Sequence, residues 1–217
     1  MILASGSPRR SELIKLTGWQ VDIRPVQIDE TPLEGEDALA LATRLAEVKA
    51  RAAAASGGQH EFILAADTVV AAEGELLGKP TSEEQAIDML TVLGANTHQV
   101  HTAIAVHDPK TGEIWVDACS TDVPMRDYSL EEVRAYVQTR SPMDKAGAYG
   151  IQDRSFQPVE TAVMSGCYAN VVGLPICHVV RLMRKLDCEA RENVPRCCQE
   201  HTGYDCPVYT QILGEEI

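Results

Sequence analysis

FILAADTVVAA, residues 62–72, is a nearly continuous apolar run with one carboxylate, Asp67, at its centre. Valine and isoleucine favour pleated backbone. A run this apolar, without polar alternation, predicts a central strand buried on both faces. Such a strand needs a layer on each side, and the flanking sequence supplies helices. Residues 37–55 form an alanine-rich helix with Leu41, Leu45 and Val48 on one face, closed by Gly57-Gly58. Thr81-Ser-Glu-Glu84 has the form of a capping box and opens a helix that ends at Gly94.

Working outward, residues 2–5 read as a short buried strand that runs into SGSPRR. Ser7 is a good N-cap and Pro8 suits the first helical position. Leu13, Ile14 and Leu16 continue that helix, and Gly18 stops it. Residues 20–26 alternate like a strand. Residues 98–107 and 113–125 flank the turn signal DPKTG and predict a long hairpin. Ser129-Leu-Glu-Glu132 is a second capping box, opening a helix to about Arg140. SPMDKAGAYGIQD is a glycine-rich loop, residues 158–164 read as another strand, and Pro175 starts a last helix. Strands and helices are interleaved, so the fold class is α/β with a mixed sheet.

The chain has 217 residues, enough for one domain, or one domain with a tail, and carries 32 acidic against 19 basic side chains, a net charge of −13. That balance argues against nucleic acid as a partner, since such binding rests on Lys and Arg meeting phosphates. It leaves room for a local basic cleft that focuses the field on a phosphorylated small molecule. No basic-then-apolar leader is visible at the start and no apolar run approaches a membrane span, so a soluble, cytoplasmic protein is expected. Cys119, Cys167 and Cys177 lie among apolar neighbours and read as small core residues.

Arg9 and Arg10 stand side by side at the mouth of the first helix. A helix N-terminus presents unpaired N–H groups and the positive end of its dipole. With Ser5, Ser7 and two guanidiniums it becomes a dense donor set for a polyphosphate; the alternative is that the arginines cover acidic surface. Asp67 is costly in a buried strand unless paired, and is read either as a hydrogen-bonded structural acid or as a functional one. Thr68 puts a hydroxyl on the opposite strand face. Lys79 in LLGKP and Lys145 in DKAGAYGIQ carry little meaning singly. In the loop 141–152, Gly147 and Gly150 permit close backbone approach, Tyr149 offers a stacking face and Gln152 an amide that can read a base edge; an ordinary surface loop is the alternative. Asp29 and Glu30 could hold a hydrated Mg²⁺ or simply form a solvated turn. His98 and His101 are three apart in a strand and face opposite sides, so they do not chelate one ion together.

The motifs SGSPRR, AADTVV, GKP, DKAGAYGIQ and NVVGLP, in that order, resemble the Maf family of nucleoside triphosphate pyrophosphatases, sometimes called septum formation inhibitors. The likeness covers residues 1 to about 186, leaving 187–217 as a Cys-rich tail. It implies a mixed twisted sheet flanked by helices, with two lobes around a cleft, akin to the inosine triphosphate pyrophosphatases. Arg9, Thr68 and Gln152 match the branch acting on dTTP and UTP. The branch acting on 7-methyl-GTP has Trp in the first motif and Gln after the Asp, and lacks the DKAGAYGIQ loop. After YGIQ, DRSFQP stands where the family has small glycine-rich residues.

The resemblance implies hydrolysis between the α and β phosphates, with Asp67 as general base and Mg²⁺ or Mn²⁺ near Glu30 and Asp67. Ser7, Arg9, Arg10, Lys49, Lys79 and Lys145 would hold substrate, while Thr68 and Gln152 recognise a pyrimidine. The alternatives are a pyrophosphatase for a purine or methylated nucleotide, and a binding protein that restrains cell division. The expected partner is the nucleotide, with no membrane and no nucleic acid; a homodimer is the assembly left open. For the tail, three readings compete. Cys197 or Cys198 with His201, Cys188 and Cys206 could bind zinc, Cys188 could pair with Cys206, or free thiols could pack on the domain through Val208, Tyr209 and Ile212.

Overall fold

The computed structural model describes residues 1–58 and 61–214. In chain order its elements are β1 (Ile2–Leu3), α1 (Pro8–Lys15), β2 (Asp22–Ile23), α2 (Ala38–Ala53), β3 (Ile63–Ala72), β4 (Glu75–Leu77) and α3 (Glu83–Leu93). Then come β5 (Thr97–His107), β6 (Ile114–Pro124), α4 (Leu130–Gln138), α5 (Tyr168–Val172), α6 (Ile176–Arg184), α7 (Val194–Thr202) and α8 (Tyr209–Leu213). The sheet runs β2-β1-β3-β5-β6, with β4 added beside β3. β1 pairs in parallel with β2 and β3, while β3, β5 and β6 form an antiparallel meander. The expected mixed sheet flanked by helices is the observed one.

β3 is buried on both faces, and its parity explains how. Ile63, Ala65 and Val69 face α2, packing with Leu41, Leu45 and Ala46. Leu64 and Ala66 face the other way, into a core with Leu13 and Ile14 of α1 and Ile176 and Val180 of α6. A third core, built from α3, α4 and residues 148–156, caps the far ends of β3, β5 and β6 and forms the second lobe. The strand period of two therefore puts Asp67 on the α2 side and Thr68 on the α1/α5 side.

Ser7 caps α1 as expected, and the box Ser129–Glu132 closes reciprocally. The other box is displaced: Ser82 is the N-cap of α3 and accepts from Gln85 N, while Thr81 bonds the Gln85 side chain. On α2, Leu41 and Leu45 are buried, but Val48 is 37 % exposed and Lys49 takes its place on the inner face. Of residues 20–26 only Asp22–Ile23 pairs, because its partner β1 is itself two residues long. Residues 158–164 form no strand. Pro158 brings no N–H to a ladder, Val159 makes one isolated bridge to Met125, and Val163 is 67 % exposed.

The helix after Pro175 is not the last. The tail continues as α7 and α8 on the same core as α1 and α6, through buried Val194, Cys198 and Tyr204. Val208, Tyr209 and Ile212 pack there too, and Cys188, Cys197, Cys198 and Cys206 are free thiols. No disulfide joins Cys188 to Cys206, and no cluster of three or more His, Cys, Asp or Glu stands in metal-binding geometry among the described residues. Among those residues no helix is long and apolar enough to cross a membrane.

Candidate active site

β5 occupies one edge of β3 from Ile63 to Ala71. On the other edge β1 pairs only as far as Leu64, and β4 begins at Val70. Residues 65–69 are left with an open edge, and there the cleft forms, a cavity of about 640 Å³ between the two lobes. Asp67 and Thr68 lie at the gap, one from each strand face.

The α1 N-terminus enters from the side of β1. Ser7 Oγ accepts from the Arg10 backbone N–H at 3.4 Å, and Ser5 Oγ accepts from Ser7 N at 3.2 Å. The adjacent arginines part company. Arg10 turns inward: Nε donates to Gly173 O at 2.7 Å, Nη1 to Ala66 O at 2.8 Å and to Ser5 Oγ at 3.3 Å, and Nη2 to Thr68 Oγ1 at 3.0 Å. It stitches the open edge of β3 to α1 and α5. Burial draws its guanidinium below the usual value, and Asp67 opposes that. Arg9 stays on the rim and reaches across the cleft to Asp144, Nη1 to Oδ2 at 3.3 Å.

Asp67 meets Lys49 of α2 at 2.6 Å, and the same ammonium meets Glu30 Oε1 at 2.6 Å. Burial raises the Asp67 carboxyl above its ordinary value, against the pull of Lys49 and Arg10. Burial acts in the same sense on Glu30, but the Lys49 hydrogen bond and charge, helped by Lys79 and Arg10, outweigh it and leave that carboxyl lowered. Asp29 is apart from this group. It is exposed and accepts from Thr31 N and Oγ1, a turn, so the carboxylate pair read from QIDETP divides into a turn residue and a cleft residue. Lys79 lies on the cavity wall just after β4.

The loop 141–152 forms the facing wall as two short 3₁₀ turns, at Ser141–Asp144 and Ala146–Ala148. Lys145 lines the cavity but is engaged: its ammonium bonds Ser141 O, Ser141 Oγ at 3.0 Å and Asp144 Oδ1 at 2.8 Å. Gly150 allows this, since a Cβ there would stand 2.8 Å from Lys145 Cε. Gly147, at φ +68°, gives the same closeness to Val70. Both glycines thus serve approach to the protein itself. Tyr149 is a core side chain and not a free stacking face: its ring is buried edge-on to His98, and its hydroxyl is 2.8 Å from His98 Nε2. Burial pulls that imidazole down to about 4, so it is neutral at pH 7. His101 bonds Ser120 instead, at 2.7 Å. Gln152 is exposed at the cavity rim.

Four contributors escape a reading by residue type: Thr102, Asn170, Gly173 and Asp144. Thr102 and Asn170 are wholly buried beneath Thr68, and Gly173 supplies the carbonyl that holds Arg10. Their signal was an Asn inside the apolar NVVGLP and a Thr at the middle of a strand.

Fold and cleft define an α/β protein with cations around an open strand edge and a buried aspartate–lysine pair on its floor. The chain belongs to the Maf family: the family described as Maf-like protein matches residues 1–186. The dTTP/UTP pyrophosphatase of Dehalococcoides mccartyi (strain ATCC BAA-2266 / KCTC 15142 / 195) is 42 % identical over 186 residues, covering 86 % of this chain and 82 % of that one. The dTTP/UTP pyrophosphatase of Geobacter sp. (strain M21) is 44 % identical over 184 residues, covering 85 % and 94 %. That of Photorhabdus laumondii subsp. laumondii is 43 % identical over 185 residues, covering 85 % and 93 %.

Proposed function

We propose that this chain hydrolyses dTTP and UTP to the nucleoside monophosphate and pyrophosphate. The observation that carries the reading is Asp67, a buried carboxylate held at 2.6 Å by Lys49 on the floor of a cation-lined cleft. Relatives bearing the name dTTP/UTP pyrophosphatase across most of the chain support the substrate.

Asp67 is the general base. It takes a proton from water as the water oxygen bonds the α phosphorus; the bond from that phosphorus to the bridging oxygen breaks, and pyrophosphate leaves with the electron pair. A carboxyl raised by burial is a stronger base than one in water, and Lys49 pulls against that rise. Arg9, Lys79 and the Ser7 end of α1 hold the phosphates and stabilise charge on the departing pyrophosphate. Arg10 holds the floor from which these groups work and adds its charge to it. Thr68 and Gln152 meet the pyrimidine.

Glu30 and Asp67 converge on Lys49, one carboxylate oxygen of each at 2.6 Å, and one or two carboxylates with phosphate oxygens suit Mg²⁺ or Mn²⁺. These two residues would hold such an ion, which would neutralise phosphate charge against the attacking water.

The test is pyrophosphate release from a panel of dTTP, UTP, purine and 7-methylated triphosphates, with divalent metal omitted and restored. Release from dTTP and UTP that needs the metal is expected. Release confined to a purine or methylated nucleotide would overturn the substrate assignment.

A further inference from the structure

Thr68 and Thr102 are register partners on β3 and β5, and their hydroxyl oxygens lie 2.9 Å apart. Thr102 Oγ1 also lies 3.0 Å from the main-chain carbonyl of Asn170. A carbonyl only accepts, and a hydroxyl has one proton. Thr102 must therefore donate to Asn170, and toward Thr68 it can only accept. The Thr68 proton is thus committed to Thr102. Arg10 Nη2 donates to the Thr68 oxygen at 3.0 Å. Of the two lone pairs on that oxygen one is taken, and what Thr68 offers the cleft is a single acceptor and no donor.

The support beneath this arrangement is rigid. Thr102 and Asn170 are wholly buried. Asn170 Nδ2 donates to Val100 O and to Thr121 Oγ1, both at 2.9 Å, which locks the middle of α5 onto β5 and β6. Gly173, at the end of α5, lies so close that a Cβ there would stand 3.2 Å from Thr68 Oγ1.

We propose that Thr102 is a positioning residue that fixes the Thr68 hydroxyl as an acceptor, so that this point of the cleft takes an N–H donor from the edge of the nucleotide's base. The proposal rests on the reading that Thr68 meets the base. A phosphate oxygen or an unprotonated ring nitrogen brings only lone pairs to the same spot and is repelled, whereas the N3–H of uracil or thymine is accepted.

The probe is 2-pyrimidinone riboside triphosphate, which lacks the 4-oxygen and the N3 proton of UTP and adds no bulk. In the unaltered protein kcat/KM for UTP is expected to exceed that for the probe by about ten-fold or more, the value of one hydrogen bond. Thr102→Val frees the Thr68 proton to turn toward N3, and the ratio of UTP to probe falls by about three-fold or more. Thr102→Ser restores the acceptor and the ratio. Contacts of the 4-oxygen elsewhere, as with Gln152, are common to all variants and cancel in this comparison. A lower melting temperature in Thr102→Val with an unchanged ratio would mark a structural residue only and overturn the proposal. If that variant does not fold, Thr102→Cys, similar in size and a poor acceptor, is read in the same way. Unaltered protein that turns over the probe as fast as UTP overturns the proposal without any variant. Thr68→Val separates the two readings. A ratio that survives it means Thr68 does not meet the base, and both fall. A ratio that collapses in Thr68→Val but persists in Thr102→Val removes the positioning role alone.

Discussion

The Lys49 ammonium lies 2.6 Å from Asp67 Oδ1, and each side chain is only 10 % exposed. One comes from the inner face of α2 and the other from the α2-facing side of β3, so the pair joins the helix layer to the sheet where the β3 edge is open at residues 65–69. Removing one partner of such a pair leaves an uncompensated charge, which makes the choice of substitution decisive.

Asp67→Asn keeps the size and the hydrogen-bonding capacity toward Lys49 and removes the base. Turnover of dTTP should fall by about 10²–10⁴-fold, the usual contribution of general-base catalysis, with the fold intact by circular dichroism. Near-full pyrophosphate release from a folded Asp67→Asn variant would take Asp67 out of the reaction.

Lys49 lowers the pH at which the proposed base, Asp67, becomes available. Burial raises the Asp67 carboxyl and Lys49 opposes the rise. The base works only when ionised, so kcat is lost as the pH falls through the folded-state value. Lys49→Gln removes the opposing charge, and the acid limb of the kcat profile should move to higher pH, by about one unit for each ~1.4 kcal/mol of lost interaction. A limb that stays in place would separate Lys49 from the titration of Asp67.

Arg9 is the rim arginine, paired with Asp144 at 3.3 Å, and its fork has the shape to grip two phosphate oxygens together. Arg9→Lys should raise KM for UTP about ten-fold, with folding unchanged, since an exposed pair of this kind contributes little stability. Unchanged kinetics would return Arg9 to the role of surface charge.

The sheet was legible because its chemistry is local. The unbroken run at 63–72 shows burial on both faces, and its parity alone separates Asp67 from Thr68. Lys49 shows where such reading stops. From Leu41 and Leu45 the inner face of α2 can continue at 48 or 49, and apolarity favours Val48, but the buried position goes to the lysine because Asp67 waits opposite it. Thr102 and Asn170 lie deeper still: their partners are 34 and 68 residues away, and nothing in a local pattern announces such hydrogen bonds. Residues 158–164 failed in the opposite sense: they have strand composition, but Val159 makes one bridge to Met125 just past β6 and the pairing goes no further.

Asp117 on β6 binds Arg181 of α6 at 2.6 Å and His178 at 3.2 Å. Burial alone would raise its carboxyl, but those two partners bring it down to about 2. Its folded value therefore lies below the unfolded one. The stability it gives is complete above the unfolded value and is lost as the pH falls from there toward about 2. Allowing for solvent screening at this half-buried site, the contribution is on the order of 1 kcal/mol. Urea midpoints for Asp117→Asn should lie below those of the unaltered chain at pH 6 and converge with them near pH 2. Parallel curves across that range would mean that the pair adds nothing specific.

The tail is outside the family match yet inside the core. Val194, Cys198 and Tyr204 are each less than 10 % exposed, and Tyr204 Oη donates to Met164 O at 2.6 Å. Arg191 N donates to Thr17 O at 2.8 Å, and Trp19 Nε1 to Glu189 O at 2.8 Å, so the tail also closes the end of α1. Gly18 makes room for this crossing, since a Cβ there would stand 2.9 Å from Arg191 Cβ. None of these residues lines the cleft. Ending the chain at Leu186 should therefore lower stability without removing chemistry. Losing three buried side chains, one of them aromatic, costs several kcal/mol, roughly the 2–5 kcal/mol seen for emptying one large core position and more where the effects add. The expected result is a urea midpoint that falls steeply while kcat per folded molecule, measured at low temperature, stays within about three-fold of the full chain. A truncated chain that is folded by circular dichroism yet releases no pyrophosphate from any nucleotide would place the tail in the site. A truncated chain as stable as the full one would mean that the contacts to Thr17, Met164 and Trp19 hold nothing together.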